Sequence, residues 1–169
     1  MAGSDSGQAA QVRERVEIPR LLHDAIAAVA EDTQAAQCEV HLESPPPLPP
    51  VSGDAAALRR VFQNLITNAA KHGGDGRWIG ITLVPVHGSR PPMVEVRVTD
   101  RGAGIPASEQ SEVFKPFFRG AAAQAKQIRG SGLGLSVVRQ IVEAHGGSVS
   151  VESGAGRGTT FTVRLPAES

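Results

Sequence analysis

Cysteine is almost missing from this chain. Cys38 stands alone among 169 residues, which excludes an internal disulfide framework and all-cysteine metal sites and fits a reducing compartment. Aromatic residues are scarce, with five Phe, one Trp and no Tyr, which argues against a base-stacking platform for nucleic acid. Net charge is lacking too. The 17 basic and 17 acidic residues cancel, leaving no electrostatic footprint for nucleic acid or an anionic membrane. There is no apolar run of about 18 residues, so no membrane span is predicted. The start, MAGSDSGQAA, has no apolar segment of the signal-peptide kind. No His/Cys cluster has zinc spacing, and no internal repeat is found. We expect a cytoplasmic chain with no nucleic-acid partner and no membrane contact of its own.

What is present reads as one domain over residues 12–169, preceded by a disordered leader at 1–11. Val12 to Ile18 alternates near its end and suits a short edge strand. Pro19 can open a helix, because its missing N–H is not needed there. The stretch PRLLHDAIAAVAEDTQAA continues at core spacing through Leu22, Ile26 and Val29 or Ala30. Cys38–Ser44 alternates as a strand, and the prolines of 45–50 make a stiff connector. Asp54 is placed to cap a helix that Gly73-Gly74 ends.

Trp78–Val86 and Met93–Thr99 read as two strands, and Ser108–Phe114 as a short helix. An Ala/Gln/Lys-rich stretch up to Arg129 lacks apolar periodicity and reads as a loop. Leu133–His145 is a helix with Leu135, Val138 and Val142 inward, and a hairpin of 149–151 and 160–165 closes the chain. The order suits a two-layer α/β sandwich, a mixed sheet covered on one face by about three helices.

The helix LRRVFQNLITNAAKH, from Leu58 to His72, carries two stripes. Leu58, Phe62, Ile66 and Ala69 fall on one side, at spacings of four, four and three. Asn64, Asn68 and Lys71 fall roughly 180–240° around from Phe62, at about 100° per residue. Asn forms helices poorly, since its amide competes for backbone hydrogen bonds. Two on one face beside a Lys point to chemistry: an amide oxygen can ligate a hard cation, and Lys can meet phosphate.

Downstream, DRGAGIP puts Asp100 at a strand's end, where its carboxylate can accept a hydrogen bond from an exocyclic amine such as that of adenine. Gly102 and Gly104 permit close backbone approach, although a capped tight turn fits the same residues. GSGLGL, with Gly130, Gly132 and Gly134 before Leu135, opens a helix and so offers N–H groups to an anion. It matches neither the Walker loop nor the dinucleotide fingerprint, and a structural turn fits it equally well.

Taken in order, Asn64-x-x-x-Asn68-x-x-Lys71-His72, Asp100-x-Gly102-x-Gly104, Phe114-x-Pro116-Phe117-Phe118-Arg119 and Gly130-x-Gly132-Leu133-Gly134-Leu135 resemble the N, G1, F and G2 boxes of sensor histidine kinases. The catalytic, ATP-binding domain of these proteins belongs to the GHKL superfamily and has the Bergerat-type fold. The likeness runs from about Val16 to Pro166.

The resemblance implies that ATP and Mg2+ are bound, with Asn68 as the metal ligand. Asn64, Lys71 and His72 would line the triphosphate, Asn68 and Lys71 acting catalytically. Asp100 would read the adenine amine, in a pocket shaped by Gly102, Gly104 and Ile105 and supported by Thr159. The span from about Phe114 to Gly132 would form the ATP lid, anchored by Phe117 and Phe118, with Arg119 reaching phosphate. Gly130, Gly132, Leu133, Gly134 and Leu135 would close over the nucleotide.

The implied partners are a dimerisation domain bearing a phosphoacceptor histidine, on this or another chain, and indirectly a response regulator. The chain would then be the cytosolic part of a membrane-bound sensor. A departure from the family is that no acceptor-histidine box is found. His23-Asp24 begins like one, but Ala25-Ile26-Ala27 follow and the pair lies too near Asn68 for a helical hairpin. His145 reads as a helix-terminal residue before Gly-Gly. The alternatives are a stand-alone serine kinase of the anti-sigma type and a non-catalytic nucleotide-binding module. The FKPFFRG and AHGGSVSVES segments favour the histidine kinase over the former. Autonomous ATP hydrolysis is disfavoured, because the gyrase and mismatch-repair branches place a water-activating Glu where this chain has Asn64.

Overall fold

The computed structural model describes residues 13–43, 48–72, 77–86, 88–116, 134–154 and 158–168. The expected leader, the Gly73-Gly74 stop and the segment holding Phe117, Phe118, Arg119, Gly130, Gly132 and Leu133 lie outside the described residues.

In chain order the elements are β1 (Glu14–Val16), α1 (Ile18–Ala28), α2 (Ala30–Ala35), β2 (Glu39–Glu43), β3 (Val51–Gly53) and α3 (Ala55–His72), followed by β4 (Trp78–Val86), β5 (Met93–Asp100), α4 (Ala107–Gln110), α5 (Gly134–Ala144), β6 (Ser148–Ser153) and β7 (Thr159–Pro166). Five strands form one sheet in the order β2-β4-β5-β7-β6, parallel between β2 and β4 and antiparallel elsewhere.

Strand alternation sends Ile79, Ile81 and Leu83 of β4, Val94, Val96 and Val98 of β5, and Phe161, Val163 and Leu165 of β7 to one buried face. The helices supply the facing layer: Leu21, Leu22 and Ala25 from α1, the Leu58–Phe62–Ile66–Ala69 stripe from α3, and Val138 and Val142 from α5. The result is the expected two-layer α/β sandwich with helices on one face of a mixed sheet. Among the described residues no helix is long and apolar enough to cross a membrane.

The far face of the sheet is polar. Glu95 is held between Arg97 at 2.6 Å and Arg164 at 2.8 Å. Trp78 lies over Gly80, where an added Cβ would run into the indole. Its ring stacks on His41, with centroids 5.9 Å apart, and the Arg101 guanidinium sits 3.9 Å from the indole centroid.

Several local expectations are corrected. The helix expected to run unbroken from Pro19 starts one residue earlier, at Ile18, and breaks at Val29, which adopts φ −110° and ψ 17°. This β-branched residue turns into the core, 6% exposed, and a new helix begins with Glu31 and Asp32 in its first turn, where carboxylates favour a helix dipole.

β1 is not an edge of the main sheet. It pairs antiparallel with β3 in a separate two-stranded sheet, and β3 is too short to show a period in sequence. The helix expected at Ser108–Phe114 starts one residue earlier and is shorter, Ala107–Gln110, with residues 111–114 in turn. Leu135 is half-buried, not fully inward like Val138 and Val142.

Candidate nucleotide-binding site

Among the described residues the candidate site residues gather at the end of β5 and on one face of α3, with Gly134 and Leu135 at the start of α5. Asp100 closes β5 on the same side as Val94, Val96 and Val98, and is 3% exposed. Its Oδ1 accepts the Gly102 N–H at 2.8 Å. Burial pushes its carboxyl pKa up, while N–H groups of Gly102 and Thr159 pull it back. Burial, and after it the same carboxylate, push the Cys38 thiol pKa up, with Arg77 opposing.

The loop after Asp100 is bolted to the β6–β7 hairpin by Ser153. The Ser153 hydroxyl accepts the Ile105 N–H at 2.6 Å and donates to the Gly158 carbonyl at 2.8 Å. Its single proton is thereby used, so Thr159 Oγ1, 3.0 Å away, is the donor in that contact. Gln110 reaches back with its amide to the carbonyls of Ile105 and Ser153, at 2.9 and 3.0 Å.

Two glycines make this packing feasible. Gly104 has φ 88°, and a Cβ there would enter the Gly154 carbonyl; Gly158 has φ 80°, and a Cβ there would strike the backbone of Asp100. Sequence reasoning found Asp100, Gly102, Gly104, Ile105 and Thr159, which the fold gathers in one corner. It missed Ser153 and Gln110, which show no pattern of their own.

On α3 the Asn face lies as expected. The Asp54 carboxylate caps the helix, accepting the Ala57 N–H at 3.2 Å. Asn64 and Asn68 are half-buried, and Lys71 and His72 are exposed at the helix end. The Asn64 amide donates to the Gly134 carbonyl at 3.3 Å, joining this face to the first residue of α5.

Among the described residues no group of three His, Cys, Asp or Glu is positioned to hold a metal. The donors on this face are neutral amide oxygens. Such a set fits Mg2+, which takes few protein oxygens and completes its shell with substrate phosphates and water.

Known proteins share this fold. A family model described as histidine kinase-, DNA gyrase B-, and HSP90-like ATPase matches residues 53–169. The sensor-like histidine kinase SenX3 of Mycobacterium tuberculosis is 36% identical over 152 residues, covering 90% of this chain and 36% of SenX3. The chain spans about a third of the length of the curated relatives it matches along most of its residues.

Among solved structures, the mycobacterial sensor histidine kinase MprB superposes with a TM-score of 0.74 at 31% identity, covering 93% of this chain and 99% of that one. Full-length ShkA in complex with AMPPNP gives a TM-score of 0.79 at 25% identity, over 93% of this chain and 31% of ShkA. By family model, sequence and fold, the chain belongs to the histidine kinase-, gyrase- and HSP90-like ATPases, as a GHKL ATP-binding domain of the sensor histidine kinase type.

Proposed function

We propose that this domain binds ATP–Mg2+ and supplies its γ-phosphoryl group to a histidine on a dimerisation domain of the same or another chain, for onward transfer to a response regulator. The observation that carries the reading is the Asp100 corner. One oxygen of a buried carboxylate is tied by main-chain N–H, and its remaining lone pairs can receive an amine on the edge of a purine. In this reading Gly102, Gly104, Ile105 and Thr159 shape the base pocket. Asn64, Lys71, His72, Gly134 and Leu135 flank the triphosphate. Arg119, Gly130, Gly132 and Leu133 are proposed phosphate-side residues on the strength of sequence alone.

Asn68 would hold Mg2+, and Asn64 and Lys71 would orient the phosphate oxygens. The ion, when bound, would supply charge neutralisation for the phosphates. The protein's share is positioning and charge complementarity. In the transfer, an imidazole nitrogen bonds to the γ-phosphorus as the bond to the ADP oxygen breaks. A neutral imidazole nitrogen already presents a lone pair, so no base must first strip a proton. Water would need one, and the position four residues before Asn68 holds Asn64, an amide without that capacity.

The test is to incubate the chain with labelled ATP, Mg2+ and a helical domain bearing an acceptor histidine. An acid-labile, base-stable label on that domain is expected. An acid-stable label would replace this reading with a serine kinase, and no transfer to any acceptor would replace it with a binding module.

A further inference from the structure

His145 does more than end a helix. It is buried, 5% exposed, just past the last residue of α5. Its Nδ1 lies 2.8 Å from the Ile141 carbonyl, which can only accept, so Nδ1 carries the proton. Its Nε2 then has a free lone pair, and the backbone N–H of Asp54, the residue that caps α3, donates to it at 3.0 Å. Both ring nitrogens are therefore committed, one to each helix. The ring is also wedged in place: a Cβ on Gly53 would come within 2.6 Å of Cδ2 and 2.8 Å of Nε2. Arg13 adds to the junction, its guanidinium donating to the carbonyls of Ser52 at 3.1 Å and Ala144 at 3.3 Å.

The junction lies far along the helices from the site, and its geometry links the two. α3 and α5 run antiparallel side by side, since Asp54 meets His145 at one end and Asn64 meets Gly134 at the other. From Asp54 to Asn64 the chain travels roughly 15 Å, and from Gly134 to His145 roughly 16.5 Å, at about 1.5 Å per residue. The two cross-links thus close a quadrilateral with nearly equal long sides. Sliding α5 along α3 cannot occur without breaking the histidine link. A helix transmits such a displacement undiminished to its other end, because its hydrogen-bonded turns do not stretch.

We propose that His145 is a positioning residue: by pinning the end of α5 to the start of α3, it sets how closely Gly134 approaches the Asn64–Asn68 face. The inference rests on the reading of that face as the triphosphate side of a nucleotide site. It assigns no contact between His145 and the nucleotide. It also predicts a selective defect, since the hydrogen bonds of the Asp100 corner are made by β5, α4, β6, β7 and their loops and none of those described comes from α5.

The experiment compares His145→Asn with His145→Gln in the full chain. Asn keeps a donor near Nδ1 but cannot reach Asp54. Gln places an amide oxygen near the Nε2 position and can accept the Asp54 N–H. ATP–Mg2+ affinity is read by calorimetry and AMP affinity by NMR titration. His145→Asn is expected to weaken ATP–Mg2+ about ten-fold while leaving AMP within two-fold, and His145→Gln to restore most of the loss. Equal losses of ATP and AMP would reduce the histidine to a general structural prop and overturn the proposal, as would unchanged ATP affinity in His145→Asn.

Should His145→Asn fail to fold, Gly53→Ala moves the ring without altering it. The same selective loss of ATP is expected, and a loss shared by AMP overturns the proposal. Failure of the unaltered chain to bind either nucleotide would remove the site reading itself, and this inference with it. Binding by the unaltered chain with no selective defect in the variants would remove the inference alone.

Discussion

The Asp100 corner and the Asn face of α3 are built in opposite ways. In the corner, separate loops are locked to one another: Ser153 reaches Ile105 across 48 positions, and Gly158 has backbone packed against Asp100. On α3 the functional groups are side chains of a single helix, half-buried or exposed, with Asn64 linked to Gly134. The first arrangement fixes a hydrogen-bonding edge before any ligand arrives. The second presents longer, partly exposed side chains on one helix, which in the proposed reading would close on phosphate and a cation. A base has one shape to match, whereas a triphosphate and its ion must change geometry during transfer. Rigidity at one end and compliance at the other suit that division.

The comparison can be broken most sharply at the compliant end. Asn68→Ala should bring Mg2+-dependent phosphotransfer to background while the melting temperature stays within a few degrees, since a half-exposed amide adds about 0.5 kcal/mol or less to stability. Retained transfer, measured with the acceptor-histidine domain, would refute the metal assignment.

Asp100→Ala comes next. A hydrogen bond to a charged group is worth about 1.5–3 kcal/mol, so ATP and AMP should weaken roughly 10- to 100-fold, with inorganic tripolyphosphate unchanged. Parallel losses of nucleotide and tripolyphosphate in competition titrations would erase the distinction between the two ends.

Acidification tests the same carboxylate with a smaller effect. Its folded pKa is raised by burial, so adenine affinity should begin to fall at a higher pH than an ordinary aspartate would allow. The unliganded fold should move the other way. A carboxyl whose pKa is higher folded than unfolded contributes stability that is present at low pH and lost as pH rises through the folded value. AMP titrations and thermal melts across the acid range should therefore show this group acting with opposite signs, and Asp100→Asn should flatten both contributions.

The smallest expected effect is that of Ser153→Ala. Removing the hydroxyl that joins Ile105 to Gly158 costs about 1 kcal/mol, or roughly five-fold in AMP affinity, through loosening of the loop and not through a lost contact. If AMP affinity is unaltered, the corner is less dependent on that bolt than its geometry indicates.

Sequence periodicity made the helix face legible, because about 100° per residue decides which side chains share a side whatever the helix packs against. Strand alternation did the same for the sheet, down to Asp100 sharing a face with Val98. The break at Val29 was hidden because apolar spacing continues through it. The β1–β3 pairing was hidden because β3, at three residues, shows no period of its own. The contacts of His145 and Ser153 were hidden for a different reason. Their roles depend on contacts made across 91 and 48 positions, and nothing in the neighbouring residues announces them.

One consequence of the outer sheet face concerns how the protein can be watched. Trp78 is the only indole in the chain, and the cation resting on it belongs to Arg101, the immediate neighbour of the carboxylate proposed to read the base. Any shift of that loop when a purine docks alters the field felt by the ring. Occupancy can therefore be followed through native emission, with no dye attached and no residue exchanged.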